Sequence, residues 1–187
     1  MTGEDAAVVR TEVDGYEADL RDLLRDYFEF ADERATDHFE ELSGIDAGDA
    51  ADADIDRLVS AKVDEPLFLA LVGSGEVETE AVEENAEIVG TVQLKRLDQT
   101  TAEVKRLYVV PARRGEGLGR RLMEAVLDGA TEEGFSTLRL GVGPYLETAQ
   151  SLYEDLGFEY TSRYDRSNAP EAVTDEWNFM RYSLAGD

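Results

Sequence analysis

Cysteine is absent from the 187-residue chain. That excludes disulfides, a cysteine zinc site and a cysteine nucleophile. A single histidine, His38, leaves little for metal chemistry or for a Ser-His-Asp arrangement. Lysine is scarce too: of 18 bases only Lys62, Lys95 and Lys105 are lysines, against 43 acids, and the formal net charge is −25. Such a surface repels nucleic acid and anionic membrane, because phosphate binding needs clustered bases. No run reaches the ~18 apolar residues of a membrane span. The opening residues, Met1 to Asp5, carry neither the basic nor the apolar segment of a secretory leader. The expectation is a cytoplasmic protein with no metal, no nucleic-acid partner and no membrane partner.

What is present is acid, spread along the whole chain. An acidic docking face for a cationic partner would concentrate it. An even coat fits solubility in a salt-rich, halophile-like cytoplasm, where repulsion is screened. The apolar content of 42% is enough for a real core, so disorder of the whole chain is not expected.

The periodicity alternates between strand and helix. Val8–Val13 reads as a strand, and Tyr16 to about Leu42 as helix, with a break near Ala31. Asp46–Asp56 reads as an Asp/Ala/Gly-rich loop entering a short helix that carries Ile55, Leu58, Val59 and Val63. Pro66–Val72 is a buried strand; Glu76–Glu87, with six acids and no base, is a solvated tip or insertion. Strands over Ile88–Leu97 and Ala102–Val110 flank a turn at Asp98–Thr100. Leu118, Leu122, Val126 and Ala130 form a helical stripe stopped by Gly134. A strand follows at Ser136–Val142. Ala149, Leu152, Tyr153 and Leu156 mark another helix, stopped by Gly157. Phe158–Tyr164 and Trp177–Leu184 are the last strands. The order β-α-α-β-β-β-α-β-α-β-β belongs to a mixed α+β class.

One segment carries chemistry. In Val109-Val110-Pro111-Ala112-Arg113-Arg114-Gly115-Glu116-Gly117-Leu118-Gly119-Arg120-Arg121 a strand ends and a helix begins among alternate glycines. Backbone N–H groups can then converge on one point, helped by the helix dipole, which makes a phosphate or pyrophosphate pocket. A dinucleotide fingerprint would need glycine at Arg120, and a Walker loop would need Gly-Lys-Ser/Thr, so neither fits. Residues 105–121 hold six bases and one acid, a local balance of +5 that leaves −30 on the rest.

Arg114-x-x-Gly117-x-Gly119 after a strand, then Ala149-x-x-Leu152-Tyr153-x-x-Leu156-Gly157-Phe158, resembles the GNAT N-acetyltransferase superfamily. Glu103-Val104-Lys105-Arg106-Leu107-Tyr108-Val109 resembles a strand of one small-molecule-type branch of it. The resemblance is strong over 87–160 and weaker over 1–86. It implies a mixed α+β GNAT fold: a mostly antiparallel, splayed sheet of about seven strands with about four helices. One domain would fill 1–187, with an acceptor-site wall in 1–86, an acetyl-CoA-binding core in 87–160 and closing strands in 161–187.

The resemblance further implies acetyl-CoA as co-substrate, held by main chain at Leu107, Tyr108 and Val109. Its pyrophosphate would lie on Arg113, Arg114, Gly115, Glu116, Gly117, Leu118, Gly119 and Arg120. Tyr153 matches the tyrosine proposed to protonate the departing thiolate, although it also lies on the apolar stripe of its helix. Glu103 aligns with a catalytic glutamate of some members; an ion pair with Lys105 or Arg106 is the alternative. Strand alternation places Glu103, Lys105, Leu107 and Val109 on one face. Leu146 stands where many members carry asparagine, so that contact is either missing or replaced by Glu147, Thr148 or Gln150.

The implied reaction is direct transfer of acetyl to a primary amine of a small molecule or protein, in a ternary complex. A non-catalytic acyl-CoA-binding or sensing module is the alternative, and an acidic interaction protein whose glycines only shape a turn is a third. The aromatic N-terminal helices, with Asp26, Glu29 and Asp32, are candidates for the acceptor wall. His38 is expected at the surface. Tyr160, Tyr164 and Trp177 are candidates for the acceptor site or for a homodimer contact.

Overall fold

The computed structural model describes residues 6–40, 42, 44, 46–61, 65–73, 86–167 and 169–184. Seven strands form one mixed sheet: β1 (Ala7–Thr11), β2 (Leu67–Val72), β3 (Glu87–Arg96), β4 (Thr101–Val109), β5 (Thr137–Val142), β6 (Glu159–Thr161) and β7 (Asn178–Ser183), in the spatial order β1-β2-β3-β4-β5-β7-β6. Only β4 and β5 run parallel; every other pair is antiparallel. The α-helices are α1 (Glu17–His38), α2 (Ala47–Ala61), α3 (Leu118–Glu132) and α4 (Glu147–Asp155).

The sheet carries a core on each face. α3 and α4 cover one, where Leu122, Met123 and Val126 have no exposed surface and pack on Ala70, Val92, Leu94 and Leu138. Each such side chain contributes roughly 1.5–3 kcal/mol by leaving water. α1 and α2 cover the other face with Leu20, Leu24, Phe28, Ile55 and Leu58, set against Leu67, Leu69 and Leu71. This explains the unbroken apolar run of β2, which is buried on both sides. α3 and α4 each end in a turn at glycine, where the Phe135 N–H reaches the Ala130 carbonyl and the Phe158 N–H reaches that of Tyr153.

Three local expectations change. α1 runs unbroken through Ala31, because Leu20, Leu23, Leu24 and Phe28 hold one face of it on the sheet and on α2. α2 starts at Ala47, at the head of the stretch read as loop. The Asp46 carboxylate accepts the Asp49 N–H at 2.9 Å as an N-terminal cap, and the alanines after it favour helix. The strand expected over Phe158–Tyr164 pairs only at Glu159–Thr161. Most of the acidic segment, 76–85, lies outside the described residues, while Glu87 opens β3.

Candidate acetyl-transfer site

The site begins with an irregularity in β4. Its pairing with β3 shifts register between Thr91 and Gln93, so Arg106 and Leu107 together oppose Val92. Arg106 has φ +56°, the left-handed region rare for a residue with a side chain. This is a β-bulge, which bends the strand and increases its twist. β4 keeps β5 only over Thr101–Glu103, paired with Thr137–Arg139. From Val104 to Val109 its edge toward β5 has no strand partner among the described residues.

The bulge also breaks the side-chain alternation. Leu107 and Val109 pack with Ala102 and Val104 against the α3 core, whereas Tyr108 packs in the α1/α2 core. Glu103 and Lys105 alternate with Ala102 and Val104, so they point to the α1/α2 side. The expectation that Glu103, Lys105, Leu107 and Val109 share a face is thus corrected: the extra residue inverts the phase halfway along the strand.

Arg106 is held at the bulge by charge. Its Nε and Nη2 donate to the Asp54 carboxylate of α2 at 2.8 and 3.3 Å, and its guanidinium stacks over Phe28 at 4.6 Å. Gln93 donates to the same carboxylate at 3.4 Å, and Arg57 lies 3.5 Å from it while pairing with Glu65. Burial pushes the Asp54 carboxyl upward, but Arg106 and Arg57 outweigh it and hold the group below its ordinary value.

A cavity of about 1030 Å³ opens along the unpaired β4 edge. It extends from α1 past β4 to the start of α3 and to α4. At the α3 end of the cavity a 3₁₀ turn (Pro111–Arg113) leads into Gly115 and Gly117, with φ +86° and +79°. A Cβ on either would meet nothing within 4 Å, so both border open space. Gly117 is the N-cap of α3 and offers no side-chain cap, which leaves first-turn N–H groups facing that space. These features fit a pyrophosphate-bearing co-substrate laid along β4. Leu107, Tyr108, Val109, Arg113, Arg114, Gly115, Gly117, Leu118, Gly119 and Arg120 all line the cavity, while Glu116 does not.

The arginines are engaged within the chain. Arg113 pairs with Glu116 at 3.3 Å and Arg120 with Asp155 at 3.1 Å. Arg114 Nε donates to the Val109 carbonyl at 3.0 Å, and its guanidinium stacks on Phe30 of α1 at 4.7 Å. Arg114 therefore turns toward α1.

Tyr153 is buried in the α3/α4 core and also lines the cavity. Burial, with a smaller effect from Tyr27, pushes its phenol well above the ordinary value of 10.0, so it stays protonated. Across the strand, Glu103 is 4% exposed and Lys105 8%. The Tyr164 hydroxyl donates to Glu103 Oε1 at 2.8 Å, and Lys105 Nζ lies 3.6 Å from Oε2. Burial draws the Lys105 ammonium down to about 8; Arg106 adds to the shift and Glu103 opposes it.

The remaining candidates separate. Trp177 and Asp32 line the cavity, Tyr164 meets Glu103, and Tyr160 is exposed, donating to Gln150 at 3.1 Å. His38 is exposed, with its ring 5.3 Å from that of Tyr145. Leu146 packs in the core, while Gln150 donates to the Gly143 and Pro144 carbonyls at 3.2 and 3.0 Å and so ties down the loop before α4. Asp54 and Tyr145 were not legible as site residues: no motif marks an acid 52 positions from its arginine, and a tyrosine in a loop has no periodicity. Among the described residues there is no group of acids and histidine fit for a metal ion, and no helix long and apolar enough to cross a membrane.

Comparison with known proteins agrees with this geometry. The family model described as acetyltransferase (GNAT) family matches residues 18–158. The uncharacterized N-acetyltransferase YjgM of Escherichia coli (strain K12) is 35% identical over 82 residues, 42% of this chain and 49% of that protein. The chain thus spans about half the length of that relative. Among solved structures, an acetyltransferase from Streptococcus agalactiae superposes with a TM-score of 0.66 at 20% identity, covering 96% of this chain and 99% of that one. The PaiA N-acetyltransferase of Thermoplasma acidophilum, solved in complex with coenzyme A, gives 0.62 at 14% identity, covering 95% and 99%.

Proposed function

The chain belongs to the GNAT acetyltransferase family, and from that premise we propose that it is an acetyl-CoA-dependent N-acetyltransferase acting on a primary amine. The observation that carries the reading is the peeled edge of β4. It places unpaired main chain, a glycine-shaped helix N-terminus and a buried tyrosine along one cavity. Coenzyme A seen with a solved neighbour of the same fold supports the choice of co-substrate.

Acetyl-CoA supplies an activated thioester carbonyl. The chain's own residues would do the rest. Main chain at Leu107, Tyr108 and Val109 aligns the pantetheine, and an N–H near Leu107 or Tyr108 polarises the thioester oxygen. Backbone N–H groups from Arg114 to Arg120 take the pyrophosphate. Tyr153, kept protonated by burial, donates to the leaving sulfur. Glu103 takes the proton of the acceptor ammonium, directly or through water. Holding both reactants side by side accounts for much of the rate and needs no covalent intermediate on the protein.

The test is acetyl-CoA-dependent release of free thiol across a panel of amines, with both substrates varied. A ternary complex gives intersecting double-reciprocal lines. Parallel lines would remove direct transfer. If acetyl-CoA binds and no amine raises thiol release above hydrolysis, the chain is an acyl-CoA-binding module.

A further inference from the structure

We propose that the acceptor is a free amino acid, its ammonium received by Glu103 Oε2 and its carboxylate by Lys105 Nζ. The inference rests on the transferase reading above and names the class of molecule that fills its acceptor side.

Glu103 and Lys105 are both more than nine-tenths buried, and both line the cavity. Their charges are poorly satisfied by the chain. Tyr164 uses Glu103 Oε1, but Oε2 accepts no hydrogen bond among the described residues. Lys105 Nζ sits 3.6 Å from that oxygen, an ion pair too long for a hydrogen bond. A buried ammonium has three donors to place, and a buried carboxylate has lone pairs on both oxygens. Leaving such groups unmet is costly, and proteins retain the arrangement where a ligand completes it. The lowered affinity of Lys105 for its proton agrees with an ammonium short of partners.

The pair reads both signs at once. An ammonium alone would satisfy Glu103 but stand beside the Lys105 charge without relief. An amine with a carboxylate on the adjacent carbon meets both. A lysine side chain of a protein lacks that carboxylate, and a peptide N-terminus carries a neutral amide in its place. Arg106 next along the strand is no competing anion site, because Asp54 already neutralises it.

Position agrees as well. Lys105 precedes Leu107 by two residues, about 7 Å along the strand. Glu103 and Lys105 line the same cavity as Leu107 and Tyr108, so an amino acid seated on the pair shares that cavity with the main chain expected to hold the thioester. The same cavity is lined by the aromatic rings of Tyr27, Tyr145 and Trp177, which favours an apolar side chain on the acceptor.

The experiment compares the standard amino acids with their decarboxylated amines and their carboxamides, by acetyl-CoA-dependent thiol release and product mass. Apolar amino acids are expected to lead, each with kcat/KM about a hundredfold above its amine or amide. Lys105→Met collapses that ratio to within about tenfold, and Lys105→Arg keeps most of it. A melting shift with acetyl-CoA confirms that each variant is folded, and the amino acid-to-amide ratio in the unaltered protein stands even if one is not. Amines or amides acetylated as well as amino acids would overturn the inference while leaving the transferase intact, as would an undiminished ratio in Lys105→Met. No acetylation of any compound, with acetyl-CoA still bound, would instead remove the transferase reading and this inference with it.

Discussion

Tyr153 sits where two demands meet. Its ring packs 5.8 Å from Phe158 in the core, and it also lines the cavity. Burial raises its proton affinity, so its ionisation adds no limb to a rate profile below about pH 10. Tyr153→Phe keeps the packing and removes only the donor. The expected result is a fall in kcat of roughly a hundredfold or more, with acetyl-CoA affinity within about twofold. Steady-state kinetics beside calorimetric titration of acetyl-CoA separates the two, and an unchanged kcat would reduce Tyr153 to a core residue. Gly117 is the other residue whose identity the geometry dictates. At φ +79° a β-branched side chain is strained, and its Cβ would occupy the space above the α3 N-terminus. Gly117→Val should abolish the melting shift produced by coenzyme A. A shift close to that of the unaltered protein would sink the loop assignment.

Among the elements, β4 decides whether there is a site at all. Its bulge depends on Arg106 holding φ +56°, and Arg106 is held by Asp54 from α2. Asp54→Asn leaves a buried guanidinium without its counter-charge, which costs about 3–5 kcal/mol. Because the folded carboxyl lies below the ordinary value of 3.8, the Asp54 contribution is complete above that pH. It fades as pH falls through the lower folded value. Urea midpoints of the two proteins should therefore differ most near neutrality and converge as pH falls below the ordinary value of 3.8. The double change Asp54→Ala with Arg106→Gly should recover more than half of the loss, since glycine adopts the bulge conformation without a charge to anchor it. No recovery would mean that the ion pair stabilises α2 rather than the bulge. The element order itself was legible from periodicity, because the apolar stripes of α3 and α4 and the two-sided burial of β2 are local patterns. The start of α2 was not, as an Asp/Ala/Gly-rich stretch reads as loop until the Asp46 cap is seen. The bulge was not legible either: a left-handed arginine inside a strand is chosen by tertiary partners, not by its neighbours. That one residue also inverts the strand phase between Glu103 and Leu107, which the motif alone does not reveal.

At the scale of the whole molecule the charge has two parts. The −25 total contains a segment of +5 at 105–121, and the structure sets much of that segment along the cavity. Several of its bases are partly neutralised at home, Arg106 by Asp54, Arg113 by Glu116 and Arg120 by Asp155. The site is therefore less repulsive to itself than the sequence count suggests, and a polyanionic co-substrate must exchange with Glu116 and Asp155 for the two loop arginines. The rest of the surface carries more acid than its ion pairs, such as Arg10 with Glu132 and Arg21 with Asp52, offset, so its excess acid opposes compaction. Screening shortens from about 10 Å at 0.1 M salt to about 3 Å at 1 M, which weakens repulsion between neighbouring surface carboxylates. If the acidic coat is a solvent adaptation, Tm should climb steadily over that range and beyond it, by an amount that the short-range loss of Arg–acid pairs does not cancel. Cofactor affinity should move the other way, because screening also weakens the attraction of the basic loop for phosphate. Thermal melts in KCl, with and without coenzyme A, read both trends in one series. A Tm that falls with salt would show that the paired charges, rather than the unpaired acids, dominate the balance.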